Sequence, residues 1–292
     1  MTIGLIGIGN MGRNIAEHLV DEGQALLLWN RTRAKAESVI GAQVADRPVN
    51  VAQGADIILS ILANDGAIDT VYKGPGGILE ADLTGKTVVE MCTTSPETAT
   101  GLEQAVQARG GLFLECPVGG NTVPARSGQL LGLAGGSDAA FGAAKPVLDR
   151  LTRRLEHLGP VGTGAAMKLA INLPLMVYWS ALGEALGLVL KKGIDPEKAL
   201  DILADTSGAI GAAKKRVPPI YDMLVNDNPG PVGLSLANGI KDMRLMVALA
   251  QANGHDSPVV SGALARSTAA ADAGWAEYDS SLVGAFGNKT ET

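Results

Sequence analysis

Residues 4–12 read Gly-Leu-Ile-Gly-Ile-Gly-Asn-Met-Gly, and this stretch constrains the fold more than any other. The run Ile3-Gly4-Leu5-Ile6 has the composition of a short buried parallel strand. Three glycines follow at the spacing of a turn that cradles a pyrophosphate. Gly7 permits the tight turn, Gly9 lets the backbone approach the phosphates, and Gly12 lets the next helix pack closely on the strand. Met11, Ile15, Leu19 and Val20 then recur at helical spacing. Asn10 and Met11 therefore fall at a helix start, where free N–H groups and a partial positive charge suit an anion. In a chain with 38 glycines the triplet alone is a weak signal, and its place between strand and helix gives it weight.

The next apolar run, residues 25–30, ends at Asn30, eighteen positions after Gly12. Loops that bind NAD commonly carry Asp or Glu near this point, to hydrogen-bond the ribose 2′-hydroxyl. Here Asn30, Arg31 and Thr32 follow instead. A guanidinium pairs with a 2′-phosphate that a carboxylate would repel. The expected cofactor is therefore NADP (NADPH) in preference to NAD, with Thr32 adding a hydroxyl and Arg33 a second cation. The alternative for Arg31 is a solvated surface side chain.

Short apolar runs alternate with helical patterns to about residue 160. Strands are expected at 55–62, 87–92, 112–118, 130–134 and 153–158, with helices at 96–109 and 138–151 between them. Such β-α alternation implies a mainly parallel sheet covered on both faces. Beyond residues 159–164 the strands stop. One long apolar helix is expected over 165–192, with Pro174 as the point where it can kink, followed by helices at 196–205, 211–225, 235–253 and 257–273. The fold class is thus α/β: an N-terminal Rossmann dinucleotide-binding domain (1–161), then an all-α C-terminal domain (162–287) begun by a long interdomain helix, with a frayed tail at 288–292. So apolar a helix is hard to satisfy in a monomer, and a homodimer that buries it is expected.

The composition, 46% hydrophobic and 18% charged, is that of a globular protein, and no uninterrupted apolar run looks long enough to span a bilayer. The first strand is too short for a secretory signal, and two cysteines make no disulfide framework, so a cytoplasmic location is the default. No Cys/His cluster has metal-ligand spacing. A net charge of −6 argues against nucleic-acid affinity.

In open α/β sheets the ligand lies beyond the carboxyl ends of the strands. Reading off those ends gives Leu62-Ala63, Thr93, and Gly119-Gly120-Asn121. The last group offers backbone N–H groups and an amide for a carboxylate, or is a simple turn. A second constellation is Gly162-x-Gly164-x-x-x-Lys168-x-x-x-Asn172, with Trp179 seven residues further along the same helical face. In so apolar a helix Lys168 either snorkels to solvent or is held near a site, where partial desolvation would let it exchange a proton.

These motifs resemble the β-hydroxyacid dehydrogenases, which include 3-hydroxyisobutyrate dehydrogenase and the glyoxylic and succinic semialdehyde reductases. The likeness runs from residue 3 to about 286. Pro117-Val118-Gly119-Gly120, Gly135-Gly136 and Lys241-Asp242 add to it in order. The resemblance implies Lys168 as the catalytic lysine, Asn172 as a substrate-holding amide, Thr93 beside the nicotinamide, and Lys241 near cofactor and substrate. It implies a small substrate bearing a carboxylate, and a dimer or tetramer. The chain departs from the family at Gly119, where a serine is usual, and at Cys92, which also replaces a serine. The family reaction would be hydride exchange between NADP(H) and an aldehyde acid. Alternatives are imine reduction on the same scaffold, or a non-catalytic NADP-binding module.

Overall fold

The computed structural model describes residues 1–190, 192–254 and 256–288. The chain divides into two compact units, residues 1–168 and 169–292.

In the first unit, β1 (Thr2–Ile6) leads through the glycine turn into α1 (Asn10–Asp21) and then β2 (Ala25–Trp29), α2 (Arg33–Glu37) and β3 (Gln43–Val44). There follow α3 (Pro48–Gly54), β4 (Ile57–Ser60), α4 (Asp65–Lys73), β5 (Thr87–Glu90), α5 (Pro96–Gln107) and β6 (Leu112–Glu115). The unit continues with β7 (Val118–Gly119), α6 (Thr122–Arg126), β8 (Leu130–Gly136), α7 (Asp138–Leu151) and β9 (Thr152–His157). The strand order is β3-β2-β1-β4-β5-β6-β8-β7, and β9 also pairs with β8. The first six strands pair in parallel, whereas β8 runs antiparallel to both β6 and β7.

Alternate residues build two cores. Leu5, Leu59, Val89 and Leu114 pack on one face of the sheet, and Ile6, Ile58, Val88 and Phe113 on the other. Burial on both faces explains why these strands read as continuous apolar runs rather than alternating ones. The expected strand at 112–118 is two strands, β6 and β7, separated by Cys116-Pro117. Both strands pair with β8 in one antiparallel register; Pro117 has no N–H and interrupts that ladder, while its carbonyl accepts from the Leu133 N–H at 3.1 Å. The two-residue β3 is too short to leave a periodic signal.

The glycine turn is dictated by space. Gly7 holds φ at 101°, and a Cβ on Gly12 would overlap the Gly7 carbonyl oxygen. A Cβ on Gly9 would meet no described atom within 4 Å. Gly7 and Gly12 therefore serve the packing of α1 on β1, and Gly9 leaves open the surface above them.

In α8 (Thr163–Leu190), Pro174 lies within one continuous helix. From Leu169 onward α8 belongs to the second unit, with α9 (Pro196–Ala204), α10 (Ala213–Asn226), α11 (Leu236–Ala252) and α12 (Pro258–Ala270). Leu169, Met176, Leu182 and Leu186 of α8 pack with Ile220, Met243 and Val260. Lys168, Asn172 and Glu184 interrupt α8, so it holds no uninterrupted apolar run long enough to span a bilayer. By length and average composition it is nevertheless apolar enough to cross a membrane, with mean hydropathy 1.5, and 33% of its most apolar stretch is buried within the protein. Asn288 is not frayed: its Nδ2 donates to the Gly183 carbonyl at 2.5 Å. The rest of the expected tail, 289–292, lies outside the described residues.

Gly12→Ala should lower stability by about 1–3 kcal/mol, because the added carbon has no room against the Gly7 carbonyl. An unchanged urea midpoint would contradict this packing role.

Candidate functional site

The strand order β2-β1-β4-β5 brings the loops after four neighbouring strands to one edge of the sheet in the first unit. These loops carry Asn30-Arg31-Thr32, Gly7 to Gly12, Leu62-Ala63 and Thr93. The start of α1 fits a pyrophosphate: its N-cap is Gly9, no side chain caps it, and its first turn holds no acidic residue. The helix end thus presents uncapped N–H groups beside the open surface over Gly9.

Asn30 has a different role from the one its position suggested. Its Oδ1 accepts from the Ile8 N–H at 2.9 Å, and its Nδ2 donates to the Thr32 carbonyl at 2.9 Å. One amide therefore ties the glycine turn to the loop carrying Arg31. An aspartate could accept from Ile8 but could not donate to Thr32. Arg31 is exposed. Arg33, expected as a second cation, bonds Glu37 and Asp46, both at 2.7 Å, so its charge is committed locally.

The loops after β4 and β5 are joined from below by a buried carboxylate. Glu90 Oε2 accepts from Ser60 Oγ at 2.6 Å and from the Tyr72 hydroxyl at 2.9 Å. Its Oε1 accepts from the Cys92 N–H at 2.9 Å, and Cys92 Sγ accepts from the Leu62 N–H at 2.8 Å. Burial raises the Glu90 carboxyl above its ordinary range against the pull of these donors, and burial likewise pushes Tyr72 well up. Sequence reasoning passed over Glu90, Ser60 and Tyr72; a carboxylate ending an apolar strand was the available signal.

Gly119 ends β7, beyond β8 in the sheet order, and Gly120-Asn121 follow it. Gly120 holds φ at 128°. Asn121 caps α6 by accepting from the Val123 N–H at 3.1 Å, so the oxygen of its amide is engaged and only the Nδ2 end is the donor expected from sequence. A Cβ on Gly119 would sit 3.4 Å from the Leu131 side chain, an ordinary contact, and its φ is unexceptional. The absence of a serine there is not forced by the fold.

Lys168 lies in the second turn of α8 and is half-buried. Within the second unit, Asn172 is buried at 8% exposure and its Nδ2 donates to Asp242 Oδ2 at 3.1 Å. Asp242 Oδ1 pairs with Lys241 at 3.2 Å. Asp242, 3% exposed, thus links the two predicted polar groups on α8 and α11, a role the sequence reading had not given it. Trp179 is not on a polar face: it is 3% exposed, in the core of the helical unit and edge-on to Tyr178. Its apolar bulk decides its place over the spacing it shares with Lys168.

Asn30→Ala should weaken binding of NADH and NADPH alike, by about tenfold each, because both loops lose their common tether. Fluorescence titration checks it; loss confined to NADPH would show that Asn30 acts on the 2′-phosphate instead.

Two family models cover nearly the whole chain. The NAD binding domain of 6-phosphogluconate dehydrogenase matches residues 2–159, and the NAD-binding domain of NADP-dependent 3-hydroxyisobutyrate dehydrogenase matches residues 162–285. Glyoxylate/succinic semialdehyde reductase 1 of Arabidopsis thaliana is 33% identical over 285 residues, covering 97% of each chain. Mitochondrial 3-hydroxyisobutyrate dehydrogenase of Mus musculus is 31% identical over 267 residues, 90% of this chain and 79% of that one. The structure of Mycobacterium tuberculosis 3-hydroxyisobutyrate dehydrogenase with L-serine superposes with a TM-score of 0.83 at 26% identity, covering 97% of each chain. With a nucleotide turn at the head of a parallel sheet and relatives of this identity over most of its length, the chain belongs to the β-hydroxyacid dehydrogenases, NAD(P)-binding oxidoreductases related to 3-hydroxyisobutyrate dehydrogenase.

Proposed function

We propose that the chain is an NADP(H)-dependent reductase of small aldehyde acids, interconverting a semialdehyde or glyoxylate-type substrate with its hydroxy acid. The observation that carries this reading is the pair Lys168 and Asn172, one helical turn apart on α8 (Thr163–Leu190), with Asn172 held by buried Asp242. The bound cofactor supplies a hydride from its nicotinamide to the carbonyl carbon. Lys168 Nζ gives a proton to the carbonyl oxygen during reduction and takes it from the hydroxyl during oxidation. Asn172, fixed through one end of its amide, orients the substrate. Backbone N–H groups at Gly119 and Gly120, with Asn121 Nδ2, receive the substrate carboxylate. The L-serine complex of the mycobacterial relative, whose ligand bears a carboxylate, and the reductase activity named for the Arabidopsis relative support this substrate class.

NADP preference rests on Arg31, exposed in a turn where residues 30–32 carry no carboxylate. Thr93, Leu62 and Ala63 border the nicotinamide half in this reading, and Lys241 reaches the substrate from α11. A second copy of the chain is the proposed partner for Met167, Ile171 and Leu188, which α8 leaves 42%, 38% and 77% exposed. Cys92 and Cys116 are buried thiols, and a cytoplasmic setting is the proposed location.

Lys168→Ala should cut kcat for glyoxylate or succinic semialdehyde by about a hundredfold or more while leaving NADPH affinity within about twofold. Unchanged turnover would sink the assignment. Arg31→Asp should weaken NADPH by more than about tenfold and spare NADH. Equal wild-type affinity for both cofactors would overturn the preference.

A further inference from the structure

Glu115 ends β6 and is 1% exposed. Its Oε1 accepts from the Gly162 N–H at 2.6 Å and the Gly164 N–H at 2.8 Å. Those amides open α8, where the first N–H groups of a helix lack partners within it. Glycines shape the space: a Cβ on Gly135 would overlap Glu115 Oε1, and a Cβ on Gly164 would overlap the Leu133 carbonyl oxygen while sitting 3.2 Å from Glu115 Oε1. The other carboxyl oxygen, Oε2, is buried and has no hydrogen-bond partner among the described residues. Lys168 follows Gly164 by four residues, one turn along the same helix.

We propose that Glu115 is the positioning residue for the catalytic helix: by capping the first turn of α8 from the sheet, it fixes the height at which Lys168 presents its amine. The proposal rests on the reading of Lys168 given above. A cap at Gly162 and Gly164 holds the backbone of the turn before Lys168, whereas a lysine on a frayed first turn would wander along the helix axis. Glu115 itself touches none of the reacting groups.

The cap carries its own protonation signature. Burial lifts the Glu115 carboxyl to about 7, against the donors at Gly162, Gly164 and Ala165. Among neighbouring ionisable groups, Glu103 on α5 raises it further, and Cys116, the next residue in the chain, is itself pushed up to about 12 by burial. Glu90, its register partner on β5, is held by Ser60 and Tyr72. β8 brings no ionisable side chain, and α7 packs inward through Ala140, Ala144, Val147, Leu148 and Leu151. Oε1 is taken by two donors, so a proton bound by Glu115 would sit on Oε2. Because the capped state binds this proton more tightly than a solvated carboxyl does, opening of the turn becomes easier as pH rises from the ordinary carboxyl range to about 7, and levels off above it.

The test combines hydrogen exchange over residues 160–170, NADPH titration and kcat in full-length Glu115→Gln and Glu115→Ala variants. In Glu115→Ala, exchange in this segment should speed up by about tenfold, kcat should fall by about tenfold or more, and NADPH affinity should hold within about twofold. Glu115→Gln keeps an acceptor for both amides, so exchange and kcat should return to within about threefold of wild type. It should also abolish the pH dependence of protection, corrected for intrinsic exchange, that wild type shows up to pH ~7. Unaltered exchange in Glu115→Ala would overturn the cap, and faster exchange with unchanged kcat would make it merely structural. If Glu115→Ala does not fold, a pH dependence that persists in Glu115→Gln overturns the proposal. The exchange arm does not involve Lys168 chemistry, so a Lys168→Ala enzyme that still turns over would refute the catalytic assignment while leaving the cap standing or falling on its own data.

Discussion

Two carboxylates buried side by side organise the carboxyl edge of the sheet. Ser60, Glu90, Glu115 and Gly135 are register partners across β4, β5, β6 and β8, so they form one polar row at the carboxyl end of an otherwise apolar face. A charge in such surroundings is costly unless it is hydrogen-bonded. Glu90 satisfies that demand with a hydroxyl on either side and with the backbone of the loop after β5. Glu115 satisfies it with the start of α8. The cost of burial is thereby turned into geometry, since each carboxylate holds the segments that leave the sheet beside it.

Asn30 does the same work on the nucleotide side with a neutral amide. Its two bonds make the glycine turn and the Arg31 loop one body, so a phosphate held by the first is held at a set distance from the second. Preorganisation of this kind reduces what must be ordered when a ligand arrives. In the helical unit, Asp242 plays the corresponding part for Asn172 and Lys241. In all three cases the segment that reaches outward is kept in place by a polar partner behind it.

The sequence made the elements legible and hid the supports. The glycine triplet, the β-α alternation and the long α8 were readable because turn chemistry and apolar periodicity are local properties. Glu115 and Asp242 were not, since a carboxylate's partners lie 47 and 70 residues away in the chain. Asn30 drew attention for its position, but its spacing could not reveal that both ends of the amide face the backbone. Trp179 misled because it shares a helical face with Lys168 only by count, and the core claims so large an apolar ring. The division of residues 112–118 into two strands turns on Pro117, whose missing N–H interrupts the ladder along which both pair with β8.

Gly119 has a consequence of its own. Its backbone angles suit any residue, and a side chain there would meet Leu131 at an ordinary distance. Neither folding nor packing dictates a bare backbone at this point, so position 119 is a vacant socket on a finished scaffold. Side chains of graded size and polarity can be installed one at a time while the sheet, the nucleotide turn and the helix cap stay as they are. On the proposed reading of residues 119–121 as the carboxylate site, selectivity can be varied at this one position without renegotiating the architecture.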